Sequence, residues 1–378
     1  MPSTPIIWIG MDVHKDTVML AVFEDGRREA EIVQQLPNED RKLRRFFERW
    51  SERGDIRSCY EASGAGYVLH REIREWGHAC EIVAPSLIPI RPGERRKHDR
   101  RDAMQLARLY RAGELTAIRI PTPTEERVRD LVRCRQCLQR EVLRSRHYVL
   151  KFLARRGFVY RAGTNWTHGH FDWLRSLLRD GSLGPEDCSV FGEYFALLEY
   201  KISRRDDLDS QIEKLALRPA YKPWVGRLCC FRGINTLAAM TLATEIGDWR
   251  RFERPGQLMA FLGLVPSEHS SGDRQHRGPI TKAGNSRCRH VLVQAAWTYR
   301  HRPTIGVGLK KRQQGQPAGV AAHAWKAQHH LHKLFHRIAA RKSSRIAAVA
   351  VARELVGFLW AVMRDLEAEQ DHLLNEAA

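Results

Sequence analysis

Acid is scarce in this sequence: 44 Asp and Glu stand against 63 Lys and Arg, a formal charge of +19 at pH 7. A chain so basic surrounds itself with a positive potential that excludes cationic partners and concentrates polyanions, nucleic acid first among them. Uninterrupted apolar runs are also missing. None approaches the ~18 residues of a membrane-spanning helix, and the opening MPSTPIIWIGMDV lacks the basic n-region and long h-region of a secretory signal. The expectation is a cytoplasmic, nucleoid-associated protein with no membrane partner. Cysteine is thin, eight residues scattered through 378, which fits reduced buried thiols better than a disulfide framework. Cys134 and Cys137 form the one CxxC, and without a second pair they read as two residues of a helix rather than a zinc or redox site. His168, His170, His329, His330 and His332 are equally weak metal signals, since histidine also contacts phosphate and bases. No zinc-finger-like spacing and no internal repeat is present.

What remains is a chain too long for one hydrophobic core, so two or more domains are expected. The first stretch alternates strand and helix patterns. IIWIGMD (6–12) reads as a buried strand and TVMLAVF (17–23) as the next, with EDG (24–26) turning into a third strand around Ile32. A polar amphipathic helix over 40–49, a strand at 57–61, a helix over 67–76, a strand at 80–83 and a helix over 99–112 follow. The order is βββαβαβα, that of a ribonuclease-H-type domain.

After Pro121 and Pro123 the period becomes helical. Val128, Leu131, Leu138, Val142, Val149 and Phe152 keep a coiled-coil-like spacing, as do Leu198, Ile202, Leu208, Ile212 and Leu215 within 194–217. Separated by a loop containing Asn165, Gly169 and Gly181, they predict either a coiled-coil hairpin that dimerises or an ordinary helical subdomain. LCCFRGINTLAAMTLATEIG (228–247) resembles a helix-hairpin-helix unit, whose tight turn at Gly233 and Ile234 offers N–H groups to a phosphate. Beyond Pro303 a basic tail ends in an amphipathic helix over 346–363. The expected fold class is α/β plus α, with boundaries at 1–117, 118–220, 221–310 and 311–378.

Four acids in basic surroundings carry the chemistry. Asp12 and Glu61 end strands that neighbour each other in the expected sheet, and Asp99 and Asp102 lie three apart at a helix start, on one face, inside RRKHDRRD (95–102). Singly each reads as a cap or a solvated strand end. Together they can gather around one or two Mg²⁺ ions and steady a phosphate for in-line displacement. A second candidate is the basic stretch SEHSSGDRQHRGPITKAGN (267–285). Gly272 allows a close backbone approach to a phosphodiester, and Arg274, Arg277 and Lys282 can neutralise charge on its oxygens. Ser270 and Ser271 read from spacing alone as turn residues or as a nucleophile, with no Ser/His/Asp spacing to decide.

In combination GMDVHK (10–15), YEASG (60–64), KHDRRDA (97–103), GLVPSEHSSG (263–272) and GPITKAGN (278–285) resemble the DEDD-type insertion-sequence transposases. His98 stands where a small polar residue is expected. The resemblance spans nearly the whole chain. It implies a RuvC-like domain with Asp12, Glu61, Asp99 and Asp102 on Mg²⁺, a coiled coil, and a C-terminal domain with a catalytic serine, favouring Ser271 over Ser270. It further implies donor and target DNA, a structured bridge RNA and a dimeric or tetrameric protein as partners. Arg232, Arg274, Arg277 and Lys282 are the expected nucleic-acid contacts. A metal-dependent junction nuclease, in which the serine loop only binds, and a non-enzymatic nucleic-acid-binding protein are the alternatives.

Overall fold

The computed structural model describes residues 4–27, 29–89, 98–268 and 277–376, with side chains as far as 369 except that of Arg277. The chain divides into two compact units, Met1–Pro121 and Thr122–Ala378. The expected boundaries at 220 and 310 both fall inside the second.

In the first unit, strands form where apolar residues alternate. β1 (Ile6–Val13) sends Ile7, Ile9 and Met11 to one face and Trp8 to the other, and β2 (Thr17–Glu24) divides Val18, Leu20 and Val22 from Ala21 and Phe23 in the same way. β3 (Ile32–Pro37), α1 (Asp40–Ser51), β4 (Asp55–Glu61), α2 (Val68–Glu75), β5 (Ala79–Val83) and α3 (Asp99–Arg111) complete it, in the order expected. The sheet runs β3-β2-β1-β4-β5, antiparallel from β3 to β1 and parallel from β1 to β5. Because the crossover through α1 carries the chain past β1 to its far side, the carboxyl ends of β1 and β4 meet where strand order reverses, the usual place for a site in such sheets.

Helices cover both faces. Leu43, Phe46, Phe47 and Trp50 of α1 and Leu69 and Ile73 of α2 pack on the Ile7/Ile9/Met11 face, while α3 lies on the other through Ala103 and Ala107. That approach depends on Gly10: a Cβ there would fall 2.2 Å from the carbonyl oxygen of Ala103 and 2.4 Å from the amide of Ala107. A glycine facing two alanines lets helix backbone rest on strand backbone, which brings the start of α3 to the end of β1.

The second unit is helical apart from one small hairpin. A capping box between Thr122 and Glu125 opens α4 (Pro123–Ala154). α5 (His168–Leu177) and α6 (Pro185–Ala216) follow. α6 runs back along α4, as the pairs Arg135–Asp209, Lys201–Ser145 and Arg156–Asp187 establish in turn. Val142, Val149 and Phe152 of α4 pack with Phe191, Phe195 and Leu198 of α6 and with Leu174 and Leu177 of α5. Two expectations change here. The connection expected as a loop contains α5, and α6 begins earlier than expected, at Pro185, where the proline occupies its first turn. His170 of α5 is buried among Tyr160, Trp166 and Trp173, its Nδ1 accepting the Trp166 amide, so its role is packing. Cys134 and Cys137 are exposed free thiols on α4.

α7 (Lys222–Cys229), α8 (Thr236–Ile246), α9 (Pro255–Phe261), β6 (Pro266–Glu268), β7 (Arg277–Ile280), α10 (Ser286–Ala296), α11 (Val307–Gln313), α12 (Ala318–Ala339) and α13 (Ser344–Glu376) form the rest. No uninterrupted apolar run of that length is present in α13, which Arg353 and Glu354 interrupt, yet an 18-residue window within its Ser344–Glu369 portion has mean hydropathy 1.8, enough by length and composition to cross a membrane. Half of that window is buried, and Ala348, Val351, Leu355, Leu359 and Met363 are central to the core of this unit. The expected amphipathic end of a basic tail is a core helix.

Candidate metal centre and serine hairpin

Asp12 ends β1 on the face that α3 covers, and Asp99 is the first residue of α3, so the Gly10 contact sets them opposite each other. His14, two residues on, shares the face of Asp12. Its Nε2 lies 3.3 Å from Asp12 Oδ2 and 3.4 Å from Asp99 Oδ2, and the three donor atoms fall within 4.8 Å of one another. Asn38 fixes the turn that carries His14 by donating to the carbonyls of His14 and Lys15. Asp12 Oδ2 is buried and accepts no hydrogen bond from the described residues. A desolvated carboxylate oxygen without a donor is unfavourable unless a cation completes it. The Asp12 side chain is 19% exposed and that of Asp99 50%, which makes one ligand anchored and the other accessible. Two carboxylate oxygens with an imidazole nitrogen beside them make a donor set for a divalent cation.

Of the four expected carboxylates, the structure gathers two. The β1–β4 register pairs Met11 with Tyr60, so one step on Glu61 follows on the strand next to Asp12, exposed at the end of β4 and outside the cluster. Asp102, half-buried one turn along α3, is outside the cluster as well. His14 was missed. The signal was its i+2 spacing from Asp12 at a strand end. A cleft of about 680 Å³ opens beside it, lined by His14, Lys15, Asn38, Ser63, Gly64 and Val68 among others.

β6 and β7, which flank the serine residues in sequence, pair antiparallel, with Glu268 opposite Arg277. Ser270, Ser271, Gly272 and Arg274 lie outside the described residues. The base of the hairpin is closely held. Thr281 and Lys282 donate amides to the carbonyls of Val265 and Gly263, and Ser267 Oγ donates to the Pro279 carbonyl. Lys282 is exposed at φ 56°, a conformation rare for a side chain-bearing residue. Gly284, at φ 71°, sits where a Cβ would come 1.9 Å from the Phe261 carbonyl oxygen. Asn285 then caps α10, its side-chain oxygen accepting from the amides of Arg287 and Cys288.

The α7–α8 turn has the tight form expected, with Gly233 at φ 84° and Asn235 capping α8. Arg232, expected to face phosphate, donates to the backbone carbonyls of His301 and Arg302 and so ties the turn to the segment after α10.

The sequences that match are those of transposases. A domain designated DEDD_Tnp_IS110 and described as transposase matches residues 9–156, and the family described as transposase IS116/IS110/IS902 matches residues 226–307. The first span holds Asp12, His14 and Asp99, the second the hairpin. Putative transposase y4qE of Sinorhizobium fredii (strain NBRC 101917 / NGR234) is 39% identical over 361 residues, 95% of this chain and 88% of that protein. The transposase for insertion sequence element IS1533 of Leptospira borgpetersenii is 31% identical over 337 residues, 88% of this chain and 96% of the relative. The chain belongs to the IS110/IS116/IS902 family and is a DNA transposase of an insertion sequence.

Proposed function

We propose that this transposase exchanges DNA strands through a covalent phosphoserine intermediate formed by Ser271, and that it binds Mg²⁺ at Asp12 and Asp99 with Glu61, Asp102 and His14 as further ligands. The observation that carries the reading is the buried, undonated Oδ2 of Asp12 within reach of His14 and Asp99, a donor set in want of a cation. When bound, the ion supplies charge neutralisation at a phosphodiester. Ser271 Oγ attacks the phosphorus. An Oγ–P bond forms, the bond to one sugar oxygen breaks, and that oxygen leaves with a proton. A sugar hydroxyl of the partner strand then attacks the phosphoserine and frees the serine hydroxyl. Bond energy is conserved throughout, so no nucleotide cofactor is consumed. Arg274, Arg277 and Lys282 balance charge at the phosphate, and Arg232 acts by shaping the α7–α8 turn.

Sequence choice falls to a structured guide RNA that pairs with donor and target DNA. The +19 charge gives salt-dependent backbone binding without base selection. Assembly as a dimer or tetramer is supported by Leu143, Tyr148, Leu197 and Tyr200, large side chains left exposed on α4 and α6.

The test is denaturing electrophoresis of the protein after reaction with guide RNA, DNA and Mg²⁺. Wild-type protein yields a protein–DNA adduct. Ser271→Ala abolishes it with DNA affinity unchanged, and Ser270→Ala retains it. Free DNA ends with no adduct would instead establish the metal-dependent nuclease.

A further inference from the structure

Glu245 is the penultimate residue of α8, 1% exposed along its side chain. A carboxylate there is unfavourable twice over, buried from water and set at the negative end of a helix dipole. The surrounding groups nevertheless keep it ionised. Burial pushes its pKa up, but the Arg133 guanidinium, the Asn285 amide and the charge of Arg129 together bring it below the ordinary glutamate value.

The partners join three elements. Arg133 of α4 grips both carboxylate oxygens, at 2.7 and 2.8 Å, in a bidentate pair. Asn285 Nδ2 donates to Oε2 at 2.7 Å. Since the Asn285 oxygen already caps α10, both ends of this amide are committed and its orientation is fixed. Arg287 extends the network to Gln136, which also reaches Thr241. Asn285 follows Gly284 and Lys282, the positions with left-handed backbone that hold β7 against the end of α9.

We propose that Glu245, with Arg133 and Asn285, is a positioning group that sets the aim of the β6–β7 hairpin, and through it the reacting serine. This rests on the serine reading above. The pairing takes the register of the long helix α4 and the end of α8 as references for the start of α10, which fixes the strand leading back to the loop. A hydroxyl that must meet phosphorus within a few tenths of an ångström needs such a footing.

The experiment compares Glu245→Gln, which keeps size and loses charge, with wild type and with Glu245→Asp, in the full chain with guide RNA, DNA and Mg²⁺. Three readouts are taken: hydrogen exchange of the 277–285 segment, DNA dissociation constant, and single-turnover adduct formation. Glu245→Gln is expected to raise exchange in that segment about tenfold, leave α12 and α13 protected, hold DNA affinity within about twofold and slow adduct formation about tenfold or more. Glu245→Asp is expected to recover part of the rate. Unchanged exchange at 277–285, or a loosened hairpin with full adduct rate, overturns the proposal. A rate loss matched by equal loss of protection in α12 and α13 overturns it too, because the role is then general stability. Ser271→Ala run alongside separates the two readings: an active Ser271→Ala sinks the serine, whereas a dead Ser271→Ala beside a normal Glu245→Gln sinks only the positioning role.

Discussion

Asp12 and Glu245 are both shielded carboxylates in a basic protein, and the fold treats them oppositely. Glu245 receives donors from two other elements of its own unit, so the chain supplies all the positive charge it needs. Asp12 has a buried oxygen with no hydrogen-bond donor among the described residues. A carboxylate satisfied internally is structure. One left unsatisfied at a strand end, facing an accessible partner carboxylate, is a place held for something that arrives.

The largest effect tests that contrast directly. Asp12→Asn should slow strand cleavage roughly a hundredfold to a thousandfold, the scale of losing a preorganised charge stabiliser, while leaving the melting temperature equal or higher. Mg²⁺ or Mn²⁺ should raise the melting temperature of wild type and not of the variant, read by differential scanning calorimetry. A variant that unfolds early would mean that Asp12 is structural after all. Arg133→Met should do the reverse of Asp12→Asn. With Glu245 left charged and buried, chemical denaturation should show a loss of about 3 kcal/mol, insensitive to divalent metal.

A third carboxylate sharpens the comparison with a smaller effect. Glu367 on α13 is buried and accepts the Trp249 amide, while its other oxygen has no hydrogen-bond partner among the described residues. Burial, and secondarily the charge of Asp248, push it up to about 7. A folded-state pKa above the unfolded one means that the proton stabilises the fold, fully below about pH 4.5, and that this contribution is lost as pH rises through about 7. Between pH 5 and 8 wild type should lose on the order of 2 kcal/mol relative to Glu367→Gln, in denaturant midpoints at each pH. Parallel pH curves for the two proteins would show that Glu367 is ionised in the fold.

The first unit was legible because its signals are local. Two-residue alternation in 6–23 and the Asp25–Gly26 turn give the hairpin, and the strand-helix order then dictates that β4 lies beside β1, which places Glu61 next to Asp12. His14 escaped because a histidine in a turn has no pattern of its own until α3 is set on the sheet. α5 escaped because Gly169 and Gly181 dominate the reading of a segment whose helix is held by burying Leu174 and Leu177 between its neighbours. Glu245 was illegible for a different reason. Its meaning lies in Arg133, 112 positions away, and in Asn285, 40 positions away. On its own it is one acid at the end of an apolar helix.

The place of α13 in the core has a consequence for the newborn chain. Residues 4–121 contain every strand of the sheet and the Asp12 cluster, so that unit has its parts once α3 and the segment after it emerge. The helices beneath the hairpin have to wait for Val351, Leu355 and Leu359 to be made. At translation speeds of about 5–20 residues per second, the serine loop is outside the ribosome for a time on the order of ten seconds before its footing exists. On the serine mechanism proposed above, the nascent chain in that interval would carry the cation-binding half of its chemistry without a firmly held second half, and would rest on nearby DNA without the aim needed to cut it.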